Sequence, residues 1–252
     1  MNSLPQEIFY QITSYLSLDD KKSLRNCSLV ARSWRRASQR RLFESVKIPL
    51  GNLGSWLRGG VFGFSGYTRQ LTCYKEKGAT PWPTEESLGK RSDFKLEHLT
   101  LCSAYVLSLD RINLFSVFKQ SLSGITLSKC DVKKSVLVSL IEYFPRLERL
   151  CLEELLCGDP YEETHVSLSR DPLKKLRINK GPGGSLELLQ ELTKLGLRSD
   201  EVALGPSFPS HAQAALTNCL IHAFGASAKC LRLLRIPSGT CGPSYPCCRD
   251  PS

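Results

Sequence analysis

The chain has 252 residues and a formal net charge of +10, with 41% hydrophobic and 23% charged residues. That composition belongs to a soluble globular protein long enough to bury a substantial core. No apolar run approaches the roughly 20 residues of a membrane span. Eleven cysteines are an odd count without an export signal, so they are expected to be mostly reduced thiols rather than a disulfide framework, in a cytoplasmic or nuclear protein.

The first predicted element is an amphipathic helix. Leu4, Ile8, Ile12 and Leu16 recur every four residues, with Phe9 and Tyr15 beside them. Pro5 stands at the helix start, where its missing N–H leaves nothing unpaired. Asp19 and Asp20 announce a second helix by offering carboxylates to free backbone N–H groups. Leu24 and Cys27 would face inward from it. Ser28 is expected to cap a third segment in which Leu29, Val30 and Trp34 are apolar, while Arg32, Arg35, Arg36, Arg40 and Arg41 fall largely elsewhere. Three helices this short have little core of their own.

These residues resemble the F-box: Leu4-Pro5-x-Glu7-Ile8-x-x-x-Ile12-x-x-x-Leu16, then Asp20, Leu24, Cys27, Val30, Arg32, Trp34 and Leu42-Phe43. The resemblance implies an SCF-type cullin-RING ubiquitin ligase, in which the box docks on the Skp-family adaptor and the rest of the chain receives the substrate. By the same resemblance Leu4, Pro5, Ile8, Ile12 and Leu16 would contact the adaptor or form the box core. Leu24, Val30 and Trp34 would hold the three helices together.

The first fifty residues carry nine Lys or Arg against four Asp or Glu, half of the net excess. That concentration admits a rival, a basic nucleic-acid-associated regulatory protein with a helical N-terminal interaction module. The arginines come without interleaved aromatics beyond Trp34 and without a groove-reading motif, so nucleic acid is the weaker expectation.

After the box the pattern changes. Segments of the form apolar-x-x-apolar-x-apolar begin at Leu96, Leu122, Leu147 and Leu173, at steps of 26, 25 and 26 residues. A fixed period in the twenties with an L-x-x-L-x-L core is the signature of leucine-rich repeats. The register extends to Ser199-x-x-Val202-x-Leu204 and Leu231-x-x-Leu234-x-Ile236, and backward to Thr68-x-x-Leu71-x-Cys73 and Phe43-x-x-Val46-x-Ile48. Six repeats are expected, eight at the outer bounds. Helical stripes at Val136 to Phe144, at Leu186 to Leu195 and at Ala212 to Phe224 would form an outer layer. Residues 49 to 95, rich in glycine, are expected to be loops and irregular connections.

This part resembles F-box proteins with irregular leucine-rich repeats of the fungal kind. It departs from them after the strand, where the usual Asn or Cys is met only by Cys130. The expected fold is therefore α/β: an N-terminal three-helix box at 1–45, then an irregular repeat solenoid at 46–236 with parallel strands inside and helices outside. Residues 237–252 are expected to be a disordered tail, since four prolines and three cysteines there come with few apolar residues.

No active site emerges, so the chain is not expected to be an enzyme, and no cofactor or metal is implied. Lys180 to Ser185 lacks the Gly-Lys-Ser/Thr of a phosphate loop. Gly63-Phe64-Ser65-Gly66 lacks the final glycine of a nucleophile elbow. If the repeat leucines point inward, their neighbours line the opposite face: His98 and Thr100, Gly124 and Thr126, Arg149 and Cys151, Lys175 and Arg177, Glu201 and Arg235. This modestly basic face is the expected target-binding surface, suited to an acidic or phosphorylated segment.

Overall fold

The computed structural model describes residues 5–17, 20–57, 65–75, 95–103, 112–155, 171–179, 188, 192, 194–204 and 230–233. The chain opens with three helices, α1 (Gln6–Ser14), α2 (Lys21–Val30) and α3 (Arg32–Leu42). Pro5 is the N-cap of α1, with φ −54° and ψ 146°, one residue before the position at which a helix accepts proline most readily. Asp20 caps α2 by accepting the Ser23 N–H at 3.0 Å.

The three helices bury few residues. Phe9 and Thr13 are buried on α1, Leu24 on α2, and Ala37 and Ser38 on α3. Phe9 meets the edge of Trp34 with ring centroids 5.0 Å apart. The Gln6 amide donates to the Ser33 carbonyl at 3.3 Å, and the Arg40 guanidinium lies 5.3 Å from the Tyr10 ring centre. Together these contacts run α1 alongside α3 in the same direction.

Two expectations for this region are corrected. Ser28 does not cap a third segment. Its hydroxyl bonds back to the Arg25 carbonyl at 2.7 Å, and α2 continues to Val30, with Ala31 as the extended break before α3. Val30 does not hold the helices together, because it is 75% exposed, and Leu29 is 80% exposed. The reason is angular. Six residues beyond the inward Leu24, at 100° per residue, Val30 has turned well away from the buried face.

Among the described residues eight strands follow: β1 (Ser45–Pro49), β2 (Gln70–Tyr74), β3 (His98–Cys102), β4 (Gly124–Ser128), β5 (Arg149–Glu153), β6 (Leu173–Asn179), β7 (Ser199–Leu204) and β8 (Cys230–Leu233). They form one sheet in chain order, every neighbouring pair parallel. The period-two alternation of the sequence makes this possible, since alternate residues of each strand point to one face. Leu71, Leu99, Ile125, Leu150, Leu176 and Val202 form one continuous buried row, and Cys73, Leu101, Leu127, Leu152 and Ile178 a second. The eight leucines and isoleucines at 99, 101, 125, 127, 150, 152, 176 and 178 are thus buried in consecutive parallel strands, as the spacing predicts.

Helices and turns close the apolar side. Helix α4 (Leu53–Leu57) buries Leu53 and Leu57. The 3-10 turn at Ser116–Phe118 buries Phe118. Helix α5 (Lys134–Tyr143) brings Leu137, Leu140 and Ile141 into the same core, with Phe144 behind it before Pro145. Of the next stripe, Leu188, Leu192 and Leu195 are buried. Ala212 to Phe224 lies outside the described residues, as do Lys180 to Ser185 and the tail. The expectation of loops over residues 49 to 95 holds for the 3-10 turn at Leu50–Asn52 but misses α4 and β2 within it.

The register of β8 is also corrected. Leu231 pairs with Val202 and Leu233 with Leu204, so the strand sits three residues earlier than Leu231-x-x-Leu234-x-Ile236 requires. Cys230-Leu-Arg-Leu-Leu-Arg-Ile236 contains two apolar-x-apolar pairs, and periodicity alone cannot choose between them. Arg232 therefore takes the register position assigned to Arg235, opposite Ala203.

Backbone hydrogen bonding repeats from strand to strand. Before each of β2 to β5, one carbonyl of the preceding segment accepts two successive N–H groups: Glu44 from Arg69 and Gln70, Arg69 from Glu97 and His98, Glu97 from Ser123 and Gly124, Ser123 from Glu148 and Arg149. After β3, β4 and β5 the chain turns through a left-handed residue, Ser103, Lys129 or Glu154, with φ of 54°, 54° and 48°. Each donates its N–H to the last residue of the next strand, at 2.8 to 2.9 Å. Cys130, fully buried, sends its thiol to the Leu101 and Ser128 carbonyls at 3.3 and 3.4 Å. The equivalent residue one strand later is the buried Leu155, which fills the space without donating.

Candidate protein-interaction surfaces

Two surfaces merit attention: the outer side of the helical segment and the open face of the sheet. On α1 the buried pair is Phe9 and Thr13, so the stripe one residue earlier is turned outward. Ile8 is 37% exposed, Ile12 41% and Tyr15 81%. Thr13 satisfies its buried hydroxyl by bonding to the Phe9 carbonyl at 2.9 Å, which lets a polar residue take an inward position. Leu16 is half-buried, and its carbonyl lies 3.5 Å from the Arg41 guanidinium. Pro5 is exposed, and Leu4 lies outside the described residues. The Gln6–Ser33 bond sets the start of α1 beside the α2–α3 break, where Leu29 and Val30 are exposed. Five large apolar residues thus face solvent on a segment with a very small core, which makes this side a candidate docking surface.

Residues 1–48 match the F-box-like family. The match covers the three helices and runs into β1. No curated protein matches the chain. F-box segments generally bind Skp-family adaptors, and among the described stripe positions Ile8 and Ile12 are exposed.

The second surface carries every described residue expected on it. His98, Thr100, Thr126, Arg149, Lys175 and Arg177 all line one depression on the open face across β3 to β6, with Cys151, Glu153 and Asn179. Arg235 lies outside the described residues. Asn179 was not anticipated, although it stands two residues beyond Arg177 and so shares its face. Glu201 is close to Lys175, with Nζ and Oε1 3.2 Å apart, and much of that lysine's charge is therefore compensated. Arg149 donates to the Ser123 hydroxyl at 3.2 Å. Among the described residues neither Arg149 nor the exposed Arg177 has a carboxylate partner.

His98 occupies a special place. Its Nε2 lies 2.9 Å from the Thr126 hydroxyl, and its ring rests against Gly124, where an added Cβ would run into Nδ1. A side chain there would force the imidazole, which crosses the neighbouring strand, to shift. Burial, and secondarily the Arg149 charge, hold the imidazole below its ordinary pKa. Cys151 is pushed up to about 12, chiefly by burial and then by Glu153. It stays a protonated thiol, and its Sγ lies 3.5 Å from the Glu153 carboxylate.

The thiols divide accordingly. Cys73 and Cys130 are buried as small hydrophobes, but Cys102 and Cys151 are half-buried on the open face and Cys230 is exposed. Strand parity decides this, because 102 and 151 alternate with the buried leucines. Cys219 lies outside the described residues. No helix among those described is long and apolar enough to cross a membrane.

Proposed function

We propose that the chain is the substrate-receptor subunit of an SCF-type cullin-RING E3 ubiquitin ligase. The helical segment docks on a Skp-family adaptor, and through it on a cullin. The sheet, as an irregular leucine-rich-repeat solenoid, holds the target protein on its open face in the cytoplasm or nucleus. The chain catalyses nothing itself, and ubiquitin transfer belongs to its partners.

The carrying observation is the F-box-like match over residues 1–48 on a segment whose Ile8 and Ile12 face outward. The repeating strand step and the recurrent left-handed turns after β3, β4 and β5 support the solenoid reading. Arg149 and Arg177, which have no carboxylate partner among the described residues, favour an acidic or phosphorylated target segment on the open face, since guanidinium suits bidentate capture of either group.

Affinity purification tests the first half. The wild type should bring down the adaptor and a cullin, and replacing Leu4, Pro5 and Ile8 with Ala together should abolish this. Retention of the adaptor by that variant would place the contact elsewhere. Binding to DNA or RNA that needs Arg35 and Arg36 and falls steeply with salt would favour a nucleic-acid role instead.

A further inference from the structure

The open face contains one residue whose charge is not fixed. His98 sits on β3, leans over Gly124 of β4, and points its Nε2 at Thr126. In the register of the sheet Gly124 stands between His98 and Arg149. The absence of a side chain on Gly124 is what brings imidazole and guanidinium into one neighbourhood, and both line the same depression as Arg177.

The surroundings decide how His98 titrates. From β2 the paired residue is the uncharged Gln70, and the preceding Arg69 is turned to Glu97 at 3.4 Å. From β4 come only Gly124 and Thr126. From β5 come Arg149, Cys151, which remains a neutral thiol, and Glu153. From β6 come Arg177 and Lys175, the latter beside Glu201. The charge that acts on the imidazole is Arg149, and it opposes protonation. An anion placed between them reverses that opposition, because a negative charge within a few ångströms favours the imidazolium.

We infer that His98 is a conditional cation of this face: an anionic target segment lying across β3 to β6 draws a proton onto the imidazole, which joins Arg149 and Arg177 as a third positive contact. The inference rests on the proposed target-binding role of the open face. It adds a proton to the binding equilibrium, so capture strengthens as the pH falls through the histidine range. Gly124 becomes a specificity-determining position, since any side chain there would push the ring away from Arg149.

The test uses the full chain and a short Glu-rich peptide, whose carboxylates stay ionised well above their pKa of about 4.3. Affinity is measured between about pH 8 and pH 5.5, and the His98 imidazole resonance, assigned by its loss in H98Q, is titrated with and without peptide. One linked proton strengthens binding by up to about tenfold per pH unit between the free and bound pKa values. The expected result is a several-fold gain on acidification and an upward move of the His98 titration with peptide, with H98Q binding independently of pH. H98Q is suited to this because its amide can keep the bond to Thr126. Binding that is equal at both ends of the range, or a pH dependence that survives in H98Q, overturns the inference while leaving the face as a binding surface. Peptide that fails to bind the wild type at either pH, or binds R149E/R177E equally well, overturns the target-face reading and the inference with it.

Discussion

Individual positions in this sheet carry unequal weight. Leu150 is 1% exposed in the buried row of β5, so Leu150→Ala removes well-packed methyl groups and should cost about 2–5 kcal/mol in denaturant unfolding. A loss near zero would mean a loosely packed core. Gly124→Ala should destabilise by about 1–3 kcal/mol through crowding, because the new methyl group meets the His98 ring. If that contact is the cause, His98→Ala in the same chain should restore most of the loss, and a double-mutant cycle reads the coupling directly. His98 also sets a pH effect on stability. Its folded pKa is depressed, so the unfolded chain binds the proton more readily. The contribution is therefore fully present above the unfolded value of about 6.5 and is lost as the pH falls through it toward the folded value. Urea midpoints should decline less over that window in H98Q than in the wild type.

At the scale of single elements, α1 turns one stripe inward and the next outward within one turn. Phe9 is buried against Trp34, while Ile8 and Ile12 face solvent. Ile8→Glu with Ile12→Glu should therefore leave the far-ultraviolet circular dichroism unchanged and abolish adaptor co-purification, since buried apolar anchors dominate most interfaces. Phe9→Ala should instead reduce the helical signal, because the three helices bury so little else. Were the double Glu variant to keep the adaptor, the outward stripe would not be the docking face. The strands show a comparable division of labour. Strands β2 to β5 each take their place from one carbonyl that gathers two N–H groups before it, and β3 to β5 leave through a left-handed residue after it. The buried rows decide which face is inward.

Over the whole molecule, every described strand pairs only with its neighbours in chain order. Stability in such an arrangement is close to a sum of local and nearest-neighbour contributions. Leu71 of β2 and Leu150 of β5 are separated by three strand spacings, roughly 14 Å at about 4.8 Å each. Leu71→Ala and Leu150→Ala should accordingly add to within about 0.5 kcal/mol, provided unfolding stays two-state. A strong non-additivity in equilibrium unfolding would show that the sheet responds as one cooperative unit. The helical segment is joined to this sheet through Glu44, Phe43 and Thr68: the Glu44 carbonyl receives Arg69 and Gln70, and the Thr68 hydroxyl donates to the Phe43 carbonyl at 2.9 Å.

The sequence by itself determined the repeated strands from β3 to β7. Two apolar residues at period two, carried forward every 25 or 26 positions, leave little choice of face or neighbour. It also determined the α1 stripe and the Asp20 cap, both of which are local patterns. Only the tertiary structure decided which side of α1 is buried, because Leu4-Ile8-Ile12 and Phe9-Thr13 are stripes one residue apart and a partner helix must choose between them. It decided the outward turn of Val30, set by where α2 stops, and the register of β8, where two equivalent apolar pairs lay three residues apart. The candidate binding face was legible as a row of alternating residues, but its working charges were not. Compensation of Lys175 by Glu201, and the lean of His98 across Gly124, depend on distances between strands that are some 25 residues apart in the chain, and no spacing within one strand encodes them.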